Sequence, residues 1–302
     1  MMNTAKKSKV SLVKTSKRAE GIRKSVELLD INPVQGKKVI LKPNFNTADP
    51  YPGSTDPETL RELIKYLQEL GAEKITIGER SGPVKTSEVM EQLGAYKIAE
   101  ELGTEIINFD ELPAEEMVKV NPPGSHWKDG FEVPRMLRDA ECIVASPCLK
   151  THQFGGIFTM ALKLAVGIIP KAGTTYMKEL HSSPHMGKMI AEVNYAYKPC
   201  LFIMDGMEAF VEQGPMTGTR KRADLFLAGT DPVAIDAVGV AILKELGSTP
   251  EIMDTAIFKQ EQIARAVELG LGAAHPGEIE LISGDAESEN YASKIRSILE
   301  QG

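Results

Sequence analysis

Short apolar runs of strand length alternate with amphipathic runs of helix length along most of this chain, and no other feature restricts its fold as strongly. Lys38-Val-Ile-Leu41 reads as a strand, followed by a helix whose apolar residues Leu60, Leu63, Ile64, Leu67 and Leu70 recur at helical spacing. Thr55 and Glu58 are spaced as a capping box at its start, and Gly71 supplies a left-handed stop. Lys74 to Gly78 reads as the next strand, Ser87 to Leu102 as a helix, and Glu105 to Phe109 and Glu141 to Ala145 as strands. The second half continues with strands at Cys200 to Met204, Asp224 to Ala228 and Glu278 to Ile282, and helices at Val233 to Leu246, Phe258 to Leu269 and Tyr291 to Leu299. Strands joined by helices of this length need right-handed crossovers. The expected class is α/β: a mainly parallel sheet with helices on both faces, plus irregular insertions.

Two stretches interrupt the alternation. Residues from about Glu111 to Val133, rich in Pro and Gly, read as an excursion or small subdomain; Pro170 to Met186 reads as a lid or binding loop. Thr-Asp-Pro occurs at residues 55–57 and 230–232, each time opening a helix, as expected when an Asp or Thr caps the free amides and Pro occupies the first turn.

A chain of 302 residues, 42% apolar and 25% charged, is long enough for a full core. Residues 1–34 are expected to form a basic segment packed on or flanking the core, and residues 35–302 a single α/β domain, divisible into lobes at about 35–150 and 151–302. A formal net charge of -7 argues against a broad nucleic-acid surface; the amino-terminal run of Lys and Arg reads as a solvated face or frayed terminus. The longest apolar run, Ile157 to Pro170, is broken by Lys163 and too short to span a bilayer, and no apolar stretch follows the basic start. The expectation is a cytoplasmic protein without membrane contact. The cysteines Cys142, Cys148 and Cys200 lack Cys-x-x-Cys spacing, which speaks against a disulfide framework and an all-cysteine iron–sulfur cluster.

The chemistry gathers just past the strands. Lys42 with Asn44 and Asn46, the run Glu79-Arg80-Ser81-Gly82, Cys148 to His152, Asp205 to Glu208, and Thr230-Asp231 would share one rim if their strands were all parallel. Lys150 and His152, two apart in an extended loop, point to one side, where a cation could hold an anion and an imidazole could transfer a proton. Lys163 follows on a helix-like segment, four residues after Thr159 on the same face. These considerations nominate His152, Lys150 and Lys163 as catalytic, with Lys42, Asn44, Asn46, Thr151, Asp205, Asp231 and Asp236 binding the ligand. A mixed metal site can also be drawn from His181, His185 and Cys148, with the two histidines four apart. Phosphate-loop, dinucleotide, nucleophile-elbow and zinc-protease motifs are all missing.

Ile40-Leu-Lys-Pro-Asn-Phe-Asn46, Ser54-Thr-Asp-Pro-Glu58, Leu149-Lys-Thr-His152 with Met160-Ala-Leu-Lys163, Asp205-Gly206, Gly214-Pro215 and Gly229-Thr-Asp-Pro-Val-Ala-Ile-Asp236 occur in this order. In these residues the chain resembles the prokaryotic family catalogued as domain of unknown function 362. The resemblance implies an α/β protein. Many relatives are similar in being fused to ferredoxin-type cysteine clusters, a pattern this sequence departs from. A fainter likeness, of fold alone, runs to the amino-terminal half of lactate-racemase-type proteins, which use a nickel-bearing cofactor. The functional expectation is an enzyme binding a small anionic metabolite or cofactor through Lys and His acid–base chemistry. Its rivals are a metal- or cofactor-binding accessory protein serving a separate redox partner, and a non-catalytic interaction module using the basic amino end.

Overall fold

The computed structural model describes residues 7–171 and 173–302. The chain opens with β1 (Ser8–Lys14) and α1 (Arg18–Glu27), then β2 (Lys38–Lys42), α2 (Pro57–Glu69), β3 (Lys74–Glu79), α3 (Thr86–Gln92), α4 (Ala95–Leu102) and β4 (Glu105–Asn108). An excursion with β5 (Met117–Val120), β6 (Phe131–Pro134) and α5 (Arg135–Arg138) leads to β7 (Cys142–Ala145), β8 (Cys148–His152), β9 (Ile157–Thr159) and α6 (Ala161–Leu164). Next come α7 (Tyr176–Ser182), α8 (Met186–Val193), β10 (Leu201–Gln213), β11 (Gly218–Gly229) and α9 (Pro232–Leu246). The chain closes with α10 (Pro250–Met253), α11 (Glu261–Glu268), β12 (Ile279–Ile282) and α12 (Ala286–Gln301).

The ten-stranded sheet is ordered β12-β1-β11-β10-β7-β2-β3-β4, and β8, itself paired to β9, takes over from β7 along β10. Strands β10, β7, β2, β3 and β4 are mutually parallel; β11 runs antiparallel to both β10 and β1, and β9 antiparallel to β8. The sheet is therefore mainly parallel, and its central strands are buried runs, as a sheet covered on both faces requires. Alternate residues enter different cores: Val39, Leu41, Val144 and Ile203 join one with Ile22, Leu63 and Ile98, whereas Ile40, Ile143, Phe202 and Met204 join the other with Ile190, Ile235 and Ile263. Helices thus cover both faces.

Several sequence expectations change. Within residues 7–34 the amino-terminal segment joins the sheet, because β1 is inserted between β11 and β12 while Lys9, Arg23 and Lys24 keep their charges at the surface; residues 1–6 lie outside the described residues. No capping box forms on α2: Asp56 accepts from Glu58 N at 2.8 Å, and Thr55 Oγ1 is occupied by Asn44 N at 2.8 Å. Asp231 caps α9 in the same manner as Asp56 caps α2, so both Thr-Asp-Pro runs open helices by Asp capping. The helix expected over 87–102 breaks at Gly94, whose φ of 70° ends α3 before α4 begins. The segment Lys150-Thr151-His152 is strand rather than loop, because β10 and β9 satisfy its backbone. Thr159 lies in β9, not on the helix of Lys163. Pro170 to Met186 is not wholly irregular, for it contains α7.

A disulfide joins Cys142 and Cys200, contrary to the expectation from spacing. The β7-to-β10 crossover brings residues 58 apart in sequence to a Cα separation of 5.6 Å, which spacing alone cannot reveal. Among the described residues, no helix is long and apolar enough to cross a membrane.

Candidate functional site: a cationic cleft at the carboxyl rim

Lys42 ends β2 and Glu79 ends β3, so parallel pairing delivers both to the same rim. They form a buried ion pair, each side chain about 1% exposed. The pair is well satisfied: Lys42 Nζ also donates to Pro43 O at 3.0 Å, and Glu79 accepts from Phe45 N and Arg80 N, each at 2.8 Å. Burial pushes the Lys42 pKa down against the opposing pull of Glu79. A buried pair of this kind adds little net stability, because the cost of desolvating both charges offsets their attraction. Gly167 presses its backbone over the pair, since a Cβ there would stand 2.9 Å from Lys42 Nζ. The segment after α6 is therefore seated directly on the rim.

Arg80 clamps that segment. Its Nε donates to Ile169 O at 2.7 Å, Nη1 to Ser81 O at 3.2 Å, and Nη2 to Val166 O. Among the described residues no carboxylate forms an ion pair with its guanidinium, while the charges of Asp110 and Glu79 nearby offset part of its own. Burial lowers its pKa.

Asp236 positions Lys163 from beneath. Its carboxylate, on α9, accepts from Ala161 N at 2.6 Å and Leu162 N at 3.0 Å, satisfying the open amides of α6. Burial pushes the Asp236 pKa up to about 7. Lys163 is half-buried, and among the described residues no acceptor lies within hydrogen-bond reach of its ammonium. Burial first, then the charges of Lys150 and Arg80, lower its pKa to about 7.

His152, at the end of β8, is 5% exposed. Gly156 N donates to its Nδ1 at 3.3 Å, which places the proton of the neutral ring on Nε2. Burial, then the Lys163 and Lys150 charges, push its pKa down to about 2. His152 is therefore a neutral N–H donor across the physiological range. The turn that holds it needs Gly156: a Cβ there would lie 2.8 Å from His152 Nδ1 and 2.8 Å from Lys163 Cε. The next residue, Ile157, adopts φ 60°, a strained conformation for a β-branched side chain.

These groups line two joined spaces. The inner one is bounded by Lys42, Asn44, Asn46, Glu79, Arg80, Thr159, Lys163 and Pro215. The outer cleft, ≈ 560 Å³, shares Asn46, Arg80, Lys163 and Pro215 with it and adds His152, Phe154, Lys171, Met177, Lys178, His181 and Met216. Among the described residues its wall carries Arg80, Lys163, Lys171 and Lys178 and no carboxylate. Lys171 is held from behind by Asp110 at 3.0 Å and by carbonyls of Ser81 and Gly82, each at 3.1 Å. His181 Nδ1 lies 2.7 Å from Met177 O and must donate to it, so Nε2 is its free nitrogen. This volume is that of a small-molecule site, and cations set in an apolar wall favour an anion with an apolar part.

The structure brings together Lys42, Asn44, Asn46, His152 and Lys163, and adds His181, which the sequence suggested as a metal ligand. Other nominated residues fall elsewhere. Lys150 is fully buried behind the cleft, where Nζ donates to Gly53 O and burial lowers its pKa to about 8. Thr151 turns to the other side and donates to Gln213 O at 3.1 Å. Asp205 lies within β10 and ties Arg18, Tyr51 and Thr59 together, with Tyr51 Oη donating at 2.6 Å. Asp231 sits at the opposite rim because β11 is antiparallel; besides capping α9 it accepts from Ser8 Oγ and Ala273 N.

The drawn metal set is not assembled. His185 lies beyond the end of α7 with its ring centroid 4.8 Å from that of His126, and Cys148 is buried in β8, where burial raises its thiol pKa to about 12. Among the described residues no group of three or more His, Cys, Asp or Glu side chains is placed to hold a metal ion. Arg80 was visible only as part of a rim run, and Lys178, Phe154 and Met177 carried no sequence signal; α7 alone brings Met177 and Lys178 to the cleft.

Fold and cleft define an α/β protein with a cationic pocket at the carboxyl ends of its parallel strands. The chain belongs to the family described as domain of unknown function (DUF362), whose model matches residues 39–241. A thylakoid-associated protein of Synechocystis sp. is 28% identical over 258 residues, covering 81% of this chain and 74% of the relative. The lactate racemase apoprotein of Thermoanaerobacterium thermosaccharolyticum superposes with a TM-score of 0.51 at 11% identity, covering 95% of this chain and 86% of that one. That likeness establishes the shared α/β fold. A Thermotoga maritima protein gives a TM-score of 0.43 at 19% identity, over 62% of this chain and 49% of that one. The chain thus spans about half the length of the Thermotoga protein.

Proposed function

We propose that this chain is an enzyme acting on a small anion with an apolar body, a metabolite or cofactor bound in the cleft. The observation that carries the reading is the outer wall, where Arg80, Lys163, Lys171 and Lys178 converge without a carboxylate while Phe154, Met177 and Met216 supply apolar surface. Like charges around one space repel each other, and an anion relieves that repulsion. His152 Nε2–H offers a hydrogen-bond donor to the ligand and His181 Nε2 a proton acceptor. Lys42 and Glu79 order the floor, and Asp236 fixes α6. The cytoplasmic assignment belongs to this proposal; thylakoid association is a property of the Synechocystis relative.

Isothermal titration calorimetry with 4-methylpentanoate and its neutral amide tests the reading. The carboxylate is expected to bind at least tenfold more tightly, and Lys171→Met with Lys178→Met to erase most of that difference. Equal binding of acid and amide, or binding of neither, would overturn it.

A further inference from the structure

The lysines around the cleft differ in one respect. Lys42 is held by Glu79 and Pro43 O, Lys150 by Gly53 O, and Lys171 by Asp110 and carbonyls. Lys163 and Lys178 have no such partner among the described residues; Lys178 is exposed, whereas Lys163 is half-buried, projects from a helix start fixed by Asp236 and stands beside Gly156 and His152. An amine that binds an anion purely by charge gains from a fixed acceptor nearby; one that reacts must keep its lone pair free. A lysine set in a partly apolar wall near other cations is the environment that favours the neutral, nucleophilic amine.

We infer that Lys163 forms an imine with the carbonyl group of an oxo acid whose carboxylate is held by the neighbouring cations of the cleft. The inference rests on the anion-binding reading above and adds the substrate class. The neutral amine attacks the carbonyl carbon, forming the C–N bond while the C=O π pair moves to oxygen. His152 Nε2–H donates a hydrogen bond to that oxygen, and the nitrogen sheds one proton to His181 Nε2, which passes it to the oxygen to give the hydroxyl. A proton from solvent lets the hydroxyl leave as water while the nitrogen lone pair forms C=N, and the remaining N–H proton returns to solvent, so one amine and one carbonyl give one imine and one water with no oxidant or reductant. The lowered Lys163 pKa, about 7, supplies the neutral amine near neutral pH.

The test uses the whole chain with 4-methyl-2-oxopentanoate and sodium cyanoborohydride, followed by intact-mass and peptide mass spectrometry. One reduced adduct per chain is expected, mapped to Lys163, absent from a folded Lys163→Arg variant and suppressed by excess 4-methylpentanoate. Calorimetry with the same oxo acid, without reductant, separates the two claims. Binding without adduct overturns the imine and leaves the anion site standing. Adducts scattered over several lysines and unchanged in Lys163→Arg also overturn it, and absence of both binding and adduct overturns both readings.

Discussion

His152 shows how burial reverses an expectation drawn from residue type. A histidine beside two lysines at a strand end suggests a group that exchanges protons near neutrality, but desolvation and the Lys163 and Lys150 charges hold it neutral. Its folded pKa is depressed, so its contribution to stability is present above the unfolded value near 6.5 and is lost as pH falls toward about 2. Nitrogen-15 NMR of the imidazoles should therefore show His152 as the Nε2–H tautomer with no titration between pH 5 and 8. A midpoint near the ordinary histidine value would remove it from the cleft as described. The identity of Lys163 and His152 as rim groups was legible in the sequence, because both follow apolar runs. The displacement of Lys150 into the interior was not: its neighbour Gly53 comes from a loop almost a hundred residues earlier, and only the folded chain supplies that acceptor.

At the scale of elements, the site depends on two short pieces, the β8–β9 turn and α6. Asp236 reaches α6 from the second turn of α9, and removing its carboxylate leaves two buried amides without acceptors. Asp236→Ala should cost roughly 1–3 kcal/mol of stability and, through loss of the Lys163 position, weaken 4-methylpentanoate binding more than tenfold. Thermal melts and calorimetry check the pair of effects; a stable variant with unaltered affinity would contradict the positioning role. The regular helices and strands were legible from periodicity and from the Asp-Pro capping signals at 56–57 and 231–232. Where sequence reading failed, long-range pairing overrode local pattern. Residues 150–152 resemble a loop until β10 and β9 complete their hydrogen bonds, and Asp231 points to the same rim as the others until β11 is seen to run antiparallel.

For the whole molecule, a formal net charge of -7 coexists with a cleft whose outer wall is entirely cationic among its charged residues. That contrast is a product of topology. Parallel β2 and β3 bring Lys42 and Arg80 to one rim, and the β9–α6–α7 excursion folds Lys163, Lys171 and Lys178 over it. The resemblance to the DUF362 family identified kinship and fold from motifs in order, whereas the cleft's charge balance could be read only from coordinates. A crystal structure of the protein soaked with a brominated short-chain carboxylate, located by the anomalous signal of bromine, tests the central claim most directly. The carboxylate is expected within hydrogen-bond distance of Lys163, Lys171 or Arg80 and the bromine against Phe154 or Met177. Anomalous density confined to surface lysines and arginines outside the cleft, with the cleft empty, would contradict it.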